Sequence, residues 1–261
     1  MPAKARWTFF TAIARAGCLV SIFLIIYPTE LRANKTQSSV VCRDQLSAEH
    51  RDELANKLRK ITGWPDLRFD RSGTLRVGTR EAVGGSKSAR ELVASVIYGT
   101  SFVVLEDASQ RSDVVFCRVV PGRWKEDAPN KPPAYVVLID FADFEHLTGD
   151  ERALDAFDVG WGLLHELDHI VNDSLDAASL GETGACEDHI NQMRRECNLP
   201  QRGEYFFTLF PLAADDPFIT RLVRLAFDQE DAATNKKKRY WLIWDAKLVG
   251  GLDEQKIAAL R

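Results

Sequence analysis

The sequence predicts an α+β fold, with a mixed sheet in the first half, two central helices and a β-rich C-terminal portion. Three observations support this class. Segments with helical spacing of apolar residues come first, three runs rich in β-branched and aromatic residues follow, and helical spacing returns at residue 150. Strands and helices that are segregated along the chain in this way are typical of α+β proteins.

The first 33 residues have the layout of a secretory signal peptide. Basic residues precede an apolar run that ends at Pro28, and Ala33 offers a small-residue cleavage site. A retained signal anchor is the alternative, although the run reaches about twenty residues only if it includes Arg15. We therefore expect a secreted or periplasmic protein, with residues 34–261 forming a single domain and any membrane contact made only through an uncleaved anchor.

The elements of the first half are bounded by capping and turn residues. Ser47 is placed to cap the first helix, and Gly, Pro, Asp or Ser clusters flank each of the three strands, which we expect in one sheet. The predicted elements are a helix at 47–58, a short hairpin at 67–77, a helix at 86–98, and strands at 101–105, 114–120 and 135–141.

The second half contains the two central helices and the β-rich tail. Pro200 ends the second of these helices. The basic run 236–239 follows Asn235, which favours a hairpin turn whose charges protect an exposed edge. The predicted elements are helices at 150–172 and 183–198 and strands at 205–212, 220–227 and 239–244.

Composition limits the partners. The chain of 261 residues carries a formal charge of −4, so nucleic acid is not expected as a partner. Four cysteines follow the leader: Cys42, Cys117, Cys186 and Cys197. They are either candidates for two disulfides, which export would permit, or small buried hydrophobic residues. Nothing in the sequence indicates the oligomeric state.

The segment from 161 to 171 carries the residues for metal chemistry. His165 and His169 are four positions apart, so on a helix they lie on one face and can bind one Zn²⁺ ion. Glu166 is rotated by about 100° from His165 and can act as a general base beside the ion. Because the apolar residues of this segment form a different stripe, the two histidines are not expected to be core residues. Two exposed histidines on a surface helix remain the alternative.

A catalytic zinc ion needs a third protein ligand. A histidine six positions after His169 would supply it, but that position is Leu175. The next helix offers acidic residues instead, and we predict Glu187, because Asn191 and Arg194 share its polar stripe. Glu182 is the reserve candidate.

On these residues the chain resembles the zincin metallopeptidases, and within them the gluzincin arrangement of His165, Glu166 and His169 followed by a glutamate on a later helix. The segment from His165 to Arg202 is also similar to small bacterial effector-type metallopeptidase domains. One position departs from the pattern, because Asp168 stands where an uncharged residue is usual.

The resemblance implies a zincin-like fold and an exported zinc metallopeptidase that acts on a peptide or protein. It also implies a strand that pairs with extended substrate, for which 134–140 is the candidate. Tyr205, Tyr135 or His189 could donate a hydrogen bond to the transition state. Two alternatives lack catalysis: a secreted binding or structural protein stabilised by a closed zinc site, and one without metal.

Overall fold

The computed structural model describes residues 39–109, 111–125, 130–211, 220–231 and 234–249. Within these ranges the chain is α+β, which confirms the fold class predicted from the sequence. The predicted signal peptide lies outside the described residues. Among the helices of the described ranges, none combines the length and apolar character needed to cross a membrane.

The helices begin at polar capping residues. Ser47 accepts a hydrogen bond from His50 N at 3.0 Å, which confirms the predicted cap, and Ser86 caps the second helix by accepting one from Ala89 N at 2.9 Å. The first helix runs four residues beyond its predicted end, to Thr62, and is capped by Gly63, whose φ of 72° suits glycine. The described helices are α1 (Ala48–Thr62), α2 (Lys87–Ile97), α3 (Phe141–Glu145), α4 (Glu151–Ala156), α5 (Val159–Asn172) and α6 (Gly184–Glu196).

Three strand groups accompany these helices in the described ranges. The strands are β1 (Val40–Cys42), β2 (Arg68–Phe69), β3 (Leu75–Arg76), β4 (Phe102–Asp107), β5 (Cys117–Pro121), β6 (Ala134–Ile139), β7 (Thr148–Gly149), β8 (Gln201–Arg202), β9 (Thr208–Leu209), β10 (Leu222–Asp231) and β11 (Lys236–Asp245). β2 and β3 form the predicted hairpin.

The first sheet has the order β1-β4-β6-β5. β1 and β6 both pair with β4 in parallel, whereas β5 pairs antiparallel with β6. The three predicted strands therefore share one sheet, as expected. β5 lies at an edge, a position where Pro121 is tolerated because its missing N–H removes no ladder hydrogen bond.

The second sheet is antiparallel and has the order β7-β11-β10-β8, with β9 also pairing with β10. The predicted hairpin is confirmed, because β10 and β11 pair antiparallel, but the basic residues 236–239 form the start of β11 and not the turn. They face the acidic end of β10, in a register that pairs Asp231 with Lys236 and Asp228 with Arg239. Opposite charges across the ladder explain why the strand begins so early. Asn235, with φ of 54°, belongs to the turn instead.

α5 lies at the centre of the described structure. It contacts β5 and β6 on one side and α1, α2 and α6 on others. Its residues Trp161, Leu163, Leu164 and Leu167 are almost completely buried in the main core. This packing holds the helix under the β5 edge.

Two further features differ from the sequence predictions. The helix expected at 150–172 is broken between α4 and α5, because Asp158 caps a new helix there. β1 was not predicted. The four described cysteines are all free thiols, so the structure contains neither of the disulfides considered.

Candidate metal centre

The geometry of the site begins with the cap of α5. The Asp158 carboxylate accepts hydrogen bonds from Gly160 N at 2.9 Å and Trp161 N at 3.2 Å, which fixes the first turn. The apolar face of α5 enters the core, so the opposite face carries His165 and His169 toward the surface. Their side chains are 12% and 19% exposed. They are therefore accessible to a ligand yet held by their surroundings.

The chain turns back sharply after α5. Asp173 adopts the left-handed conformation, with φ of 51° and ψ of 31°, and ends the helix. This turn returns Asp176 to the histidines. Its Oδ1 lies 3.0 Å from His165 Nε2 and 3.5 Å from His169 Nε2. Three donors from two turns of helix and one loop thus meet at one point.

A fourth donor comes from the start of α6. Asp176 and Gly184 form an isolated bridge, and Cys186 N donates to Leu175 O at 3.2 Å, so the two ends of the loop are fastened together. Gly184 has φ of 80°, and a Cβ there would lie 2.3 Å from Ala177 N, so this close approach requires glycine. The buried thiol of Cys186 is thereby brought to the other donors.

Donor atoms of His165, His169, Asp176 and Cys186 all lie within 4.8 Å of one another. Ligands of a tetrahedral Zn²⁺ ion at about 2.0–2.1 Å are separated by about 3.3 Å. The observed separations of 3.0 and 3.5 Å between the Asp176 oxygen and the two imidazoles are of this size. The residues therefore fit such an ion.

Both imidazoles are oriented from behind. His165 Nδ1 faces Glu187 Oε2 at 3.4 Å, and His169 Nδ1 lies 2.7 Å from the backbone oxygen of Ser174. An acceptor at Nδ1 favours a proton on that nitrogen, so a metal ion that displaced the proton from Nε2 would be bound through Nε2. Histidines that bind metals almost always have such a partner on their other nitrogen.

Glu187 is not in the four-donor group, and the carboxylate in that group is Asp176. The Glu187 side chain is 1% exposed and is bound by two arginines, with Arg194 Nη1 on Oε1 and Arg202 Nη1 on Oε2, the latter at 3.1 Å. Burial alone would raise the pKa of this carboxyl, but the two guanidinium groups hold it far below its usual range. Glu187 supports His165 as an anion. The reserve candidate, Glu182, is exposed and also outside the group.

Asp168 has a structural explanation. Its buried carboxylate accepts from Ser174 Oγ and Asn172 Nδ2, both at 2.5 Å, and contacts His189 Nδ1 at 3.0 Å. Ser174 is also the residue whose carbonyl faces His169. Asp168 therefore fixes the beginning of the loop that supplies Asp176, which accounts for the charged residue at this position.

The site is electrostatically matched to a cation. Burial lowers the pKa of His165, but Asp176, Cys186 and Glu187 outweigh it and hold that pKa well above its usual value. Hydrogen bonding to Cys186 is the main cause that raises the pKa of His169 to about 9. The imidazoles thus sit among groups that favour positive charge. Zn²⁺ would take the place of protons at this position.

Glu166 lies beside this cluster and faces β5. Its Oε2 accepts a hydrogen bond from Val119 N at 2.7 Å, and the side chain is 7% exposed. Burial raises the pKa of this carboxyl, although His165 and His169 oppose the shift. Glu166 and His165 line a cavity of about 260 Å³. The carboxylate is therefore positioned at a space that substrate or water can enter.

Of the three candidate hydrogen-bond donors, Tyr205 lies at this cavity. Its ring is stacked 6.1 Å from that of His165. Burial raises its pKa, so the phenol stays protonated. Tyr135 belongs to β6, opposite Val103, and His189 is directed to Asp168. The geometry favours Tyr205.

The prediction that the strand at 134–140 pairs with substrate is wrong. β6 has β4 on one side and β5 on the other, so it has no free edge. The edge strand next to β6 is β5, and the N–H of Val119 on its outer side reaches Glu166. β5 is the strand that lies above the site.

Comparisons of the chain with protein-family models, with curated proteins and with solved structures find no match.

Sequence reasoning did not select Asp176 or Cys186. Asp176 follows His169 by seven positions, one beyond the position considered, and Asp173 makes the turn without glycine. Cys186 adjoins the predicted ligand Glu187, on the neighbouring apolar stripe of α6. The preference of zinc for histidine and cysteine was the available signal.

Proposed function

We propose that this protein is a zinc-dependent hydrolase of peptide or amide bonds, with a zincin-like site in which His165, His169 and Asp176 hold the ion and Glu166 is the general base. One observation carries the proposal. Both imidazoles direct Nε2 at the same carboxylate oxygen while acceptors hold each Nδ1, and a buried glutamate adjoins them at a cavity. This combination supplies metal donors, a base and room for substrate.

The donor set favours zinc over harder cations, because imidazole and thiol groups prefer borderline metals. A zinc ion held here would lower the pKa of a water molecule to about 7 and polarise a carbonyl group. Cys186 Sγ lies 3.4 Å from the carbonyl oxygen of His165, to which a neutral thiol would donate. With three protein donors, one coordination position stays open to water, as catalysis requires.

Glu166 handles the proton in the proposed reaction. The Val119 N–H fixes Oε2, which leaves Oε1 to accept a proton from the attacking water. The same carboxyl then donates this proton to the leaving amine. Its burial supports the second step, because a raised pKa makes the carboxyl a better proton carrier near neutral pH.

Tyr205 and β5 would act on the substrate. The Tyr205 hydroxyl is the candidate donor to the carbonyl oxygen as negative charge develops there. β5 is an edge strand whose outward backbone oxygens could accept main-chain hydrogen bonds from an extended peptide, while the outward N–H of Val119 is held by Glu166. These contacts suit a peptide or protein substrate. We further propose export, on the strength of residues 1–33.

The test measures zinc content and peptide hydrolysis in matched variants. Glu166→Gln should keep one zinc per chain and lose turnover by several orders of magnitude, whereas His165→Ala should lose both. Glu182→Gln is the control, since it makes the same chemical change at an exposed position. Hydrolysis by Glu166→Gln at the wild-type rate would overturn the proposed role of this residue.

A second candidate function is a non-catalytic protein stabilised by a closed zinc site. Cys186 favours it, because a fourth donor would complete a tetrahedron and exclude water. Cobalt substitution separates the two. A closed site should show the strong thiolate-to-cobalt absorption, and Cys186→Ala should lose the metal. In the hydrolase, Cys186→Ala should retain both metal and turnover.

A further inference from the structure

The cavity beside Glu166 has walls of a particular composition. Aromatic side chains dominate them and come from both halves of the fold: Phe116, Phe157, Trp161, Phe206, Phe207 and Trp244. Phe116 contacts Phe157 and Trp244 edge-on, with ring centroids 5.1 and 5.6 Å apart. The walls are therefore apolar and preformed by ring packing.

The charged groups in these walls are already paired. Arg194 donates through Nε to Ala156 O at 2.8 Å and through Nη1 to Glu187. Arg202 donates to the backbone oxygens of Glu204 and Tyr205 and to the same carboxylate. Because most of their N–H groups are used in this way, the two arginines have little capacity left to bind a substrate carboxylate. An ionic side chain entering the cavity would lose its hydration without compensation.

The size of the cavity suits one large side chain. Its volume of about 260 Å³ lies just below the range of about 300–1,000 Å³ for sites that enclose a whole small ligand. His165 and Glu166 lie in its lining, so a group that fills it is attached close to the reacting atoms. Gly162 contributes to this space, since a Cβ there would lie 2.9 Å from Cys117 Sγ.

We infer that this cavity binds the aromatic or large aliphatic side chain of the residue adjoining the bond that is cleaved. The inference rests on the proposed hydrolase function for its substrate, but the binding preference is a property of the cavity alone. A side chain of this kind gains from burial in proportion to its apolar area. A small side chain would gain little binding free energy in this cavity, and an acidic one would lose some.

Binding is measured first, without turnover, on the protein as purified. Trp161 and Trp244 line the cavity, so their fluorescence reports its occupation. N-acetyl-phenylalaninamide should bind at least about tenfold more tightly than N-acetyl-aspartamide, in keeping with the burial of one aromatic side chain. Equal affinity for the two probes would overturn the inference.

Leu225→Phe fills the cavity from β10, and Leu222→Phe makes the same change on that strand at a 41% exposed position outside it. The first variant should weaken binding of N-acetyl-phenylalaninamide at least about tenfold, and the second should not change it. Should Leu225→Phe fail to fold, Phe207→Ala serves instead: enlarging the cavity should favour N-acetyl-tryptophanamide over the phenylalanine probe. Calorimetry measures both affinities in this case, because the tryptophan probe itself fluoresces. No change of preference would contradict the assignment.

Cleavage of a peptide mixture separates this inference from the function on which it rests. Cleavage next to aromatic and large aliphatic residues supports both. Cleavage without such a preference overturns the inference and leaves the hydrolase intact. Tight binding of the phenylalanine probe with no cleavage of any peptide overturns the hydrolase, while the cavity assignment stands as a binding site.

Discussion

Two carboxylates near His165 differ in their proposed roles, so their variants should differ in opposite ways in zinc affinity and in stability. Asp176→Asn removes a donor to the ion, whereas Glu187→Gln removes the anion behind the imidazole. The first side chain is 35% exposed and the second 1%. We therefore expect Asp176→Asn to be the more harmful to zinc affinity and Glu187→Gln the more harmful to the stability of the metal-free protein.

The magnitudes follow from the surroundings of each carboxylate. Zinc binding worth about 10–16 kcal/mol, shared among three or four donors, gives roughly 3–5 kcal/mol for Asp176, a loss of about 10²–10⁴-fold in affinity. An acceptor behind a ligating histidine contributes about 10–100-fold, which is the loss expected for Glu187→Gln. The same variant leaves Arg194 and Arg202 without their buried anion, which costs about 3–5 kcal/mol of folding free energy.

The assays are competition against a chromophoric zinc chelator and urea unfolding of the metal-free proteins. Glu182→Gln is the control for both measurements, because its carboxylate is exposed. A larger loss of zinc affinity in Glu187→Gln than in Asp176→Asn would contradict the proposed roles of the two carboxylates. A metal-free Asp176→Asn protein that is less stable than Glu187→Gln would contradict them as well.

Three further predictions concern stability and the loop. Glu196 accepts a hydrogen bond from Ser88 N at 2.9 Å, and although burial opposes the shift, hydrogen bonding lowers the pKa of this carboxyl to about 2. Glu196→Gln should therefore cost about 1 kcal/mol of folding free energy at pH 7, after discounting for exposure. Urea unfolding at a series of pH values should show this difference fading from about pH 4.5 down to pH 2. Leu58→Ala should cost about 2–5 kcal/mol in the same assay, whereas Val83→Ala, at an 81% exposed position, should change the stability by less than about 0.5 kcal/mol. Asp173→Val should cost about 1–2 kcal/mol and weaken zinc binding in the chelator assay, because a β-branched residue resists the left-handed turn that leads to Asp176; Asp173→Gly should do neither.

Local features of the fold were predictable from the sequence. The helix cap at Ser47 is set by residues within one turn, so sequence alone located it. β1 was missed, because three residues are too few to show a strand period. The position of β6 inside the sheet depends on partners distant in sequence, and no pattern within the strand reveals them.

The candidate site divides in the same way. His165, Glu166 and His169 were identifiable because helix geometry alone relates them. The polar stripe of α6 was correctly identified, but its Glu187 contacts Arg202 and Nδ1 of His165 instead of lying among the four donors. Which carboxylate reaches the histidines depends on how the loop after α5 returns, and this is decided by one left-handed residue and by hydrogen bonds to Asp168.

The bridge between Asp176 and Gly184 divides the connection between α5 and α6 into two parts with different freedom. The step from His169 to Asp176 is geometrically constrained, because shortening or lengthening it would rotate the carboxylate away from the histidines. The stretch 177–183 forms a loop whose two ends are joined by the bridge, and it carries exposed residues such as Leu180. A search for evolutionary kin should hold the first spacing constant and let the second vary in length.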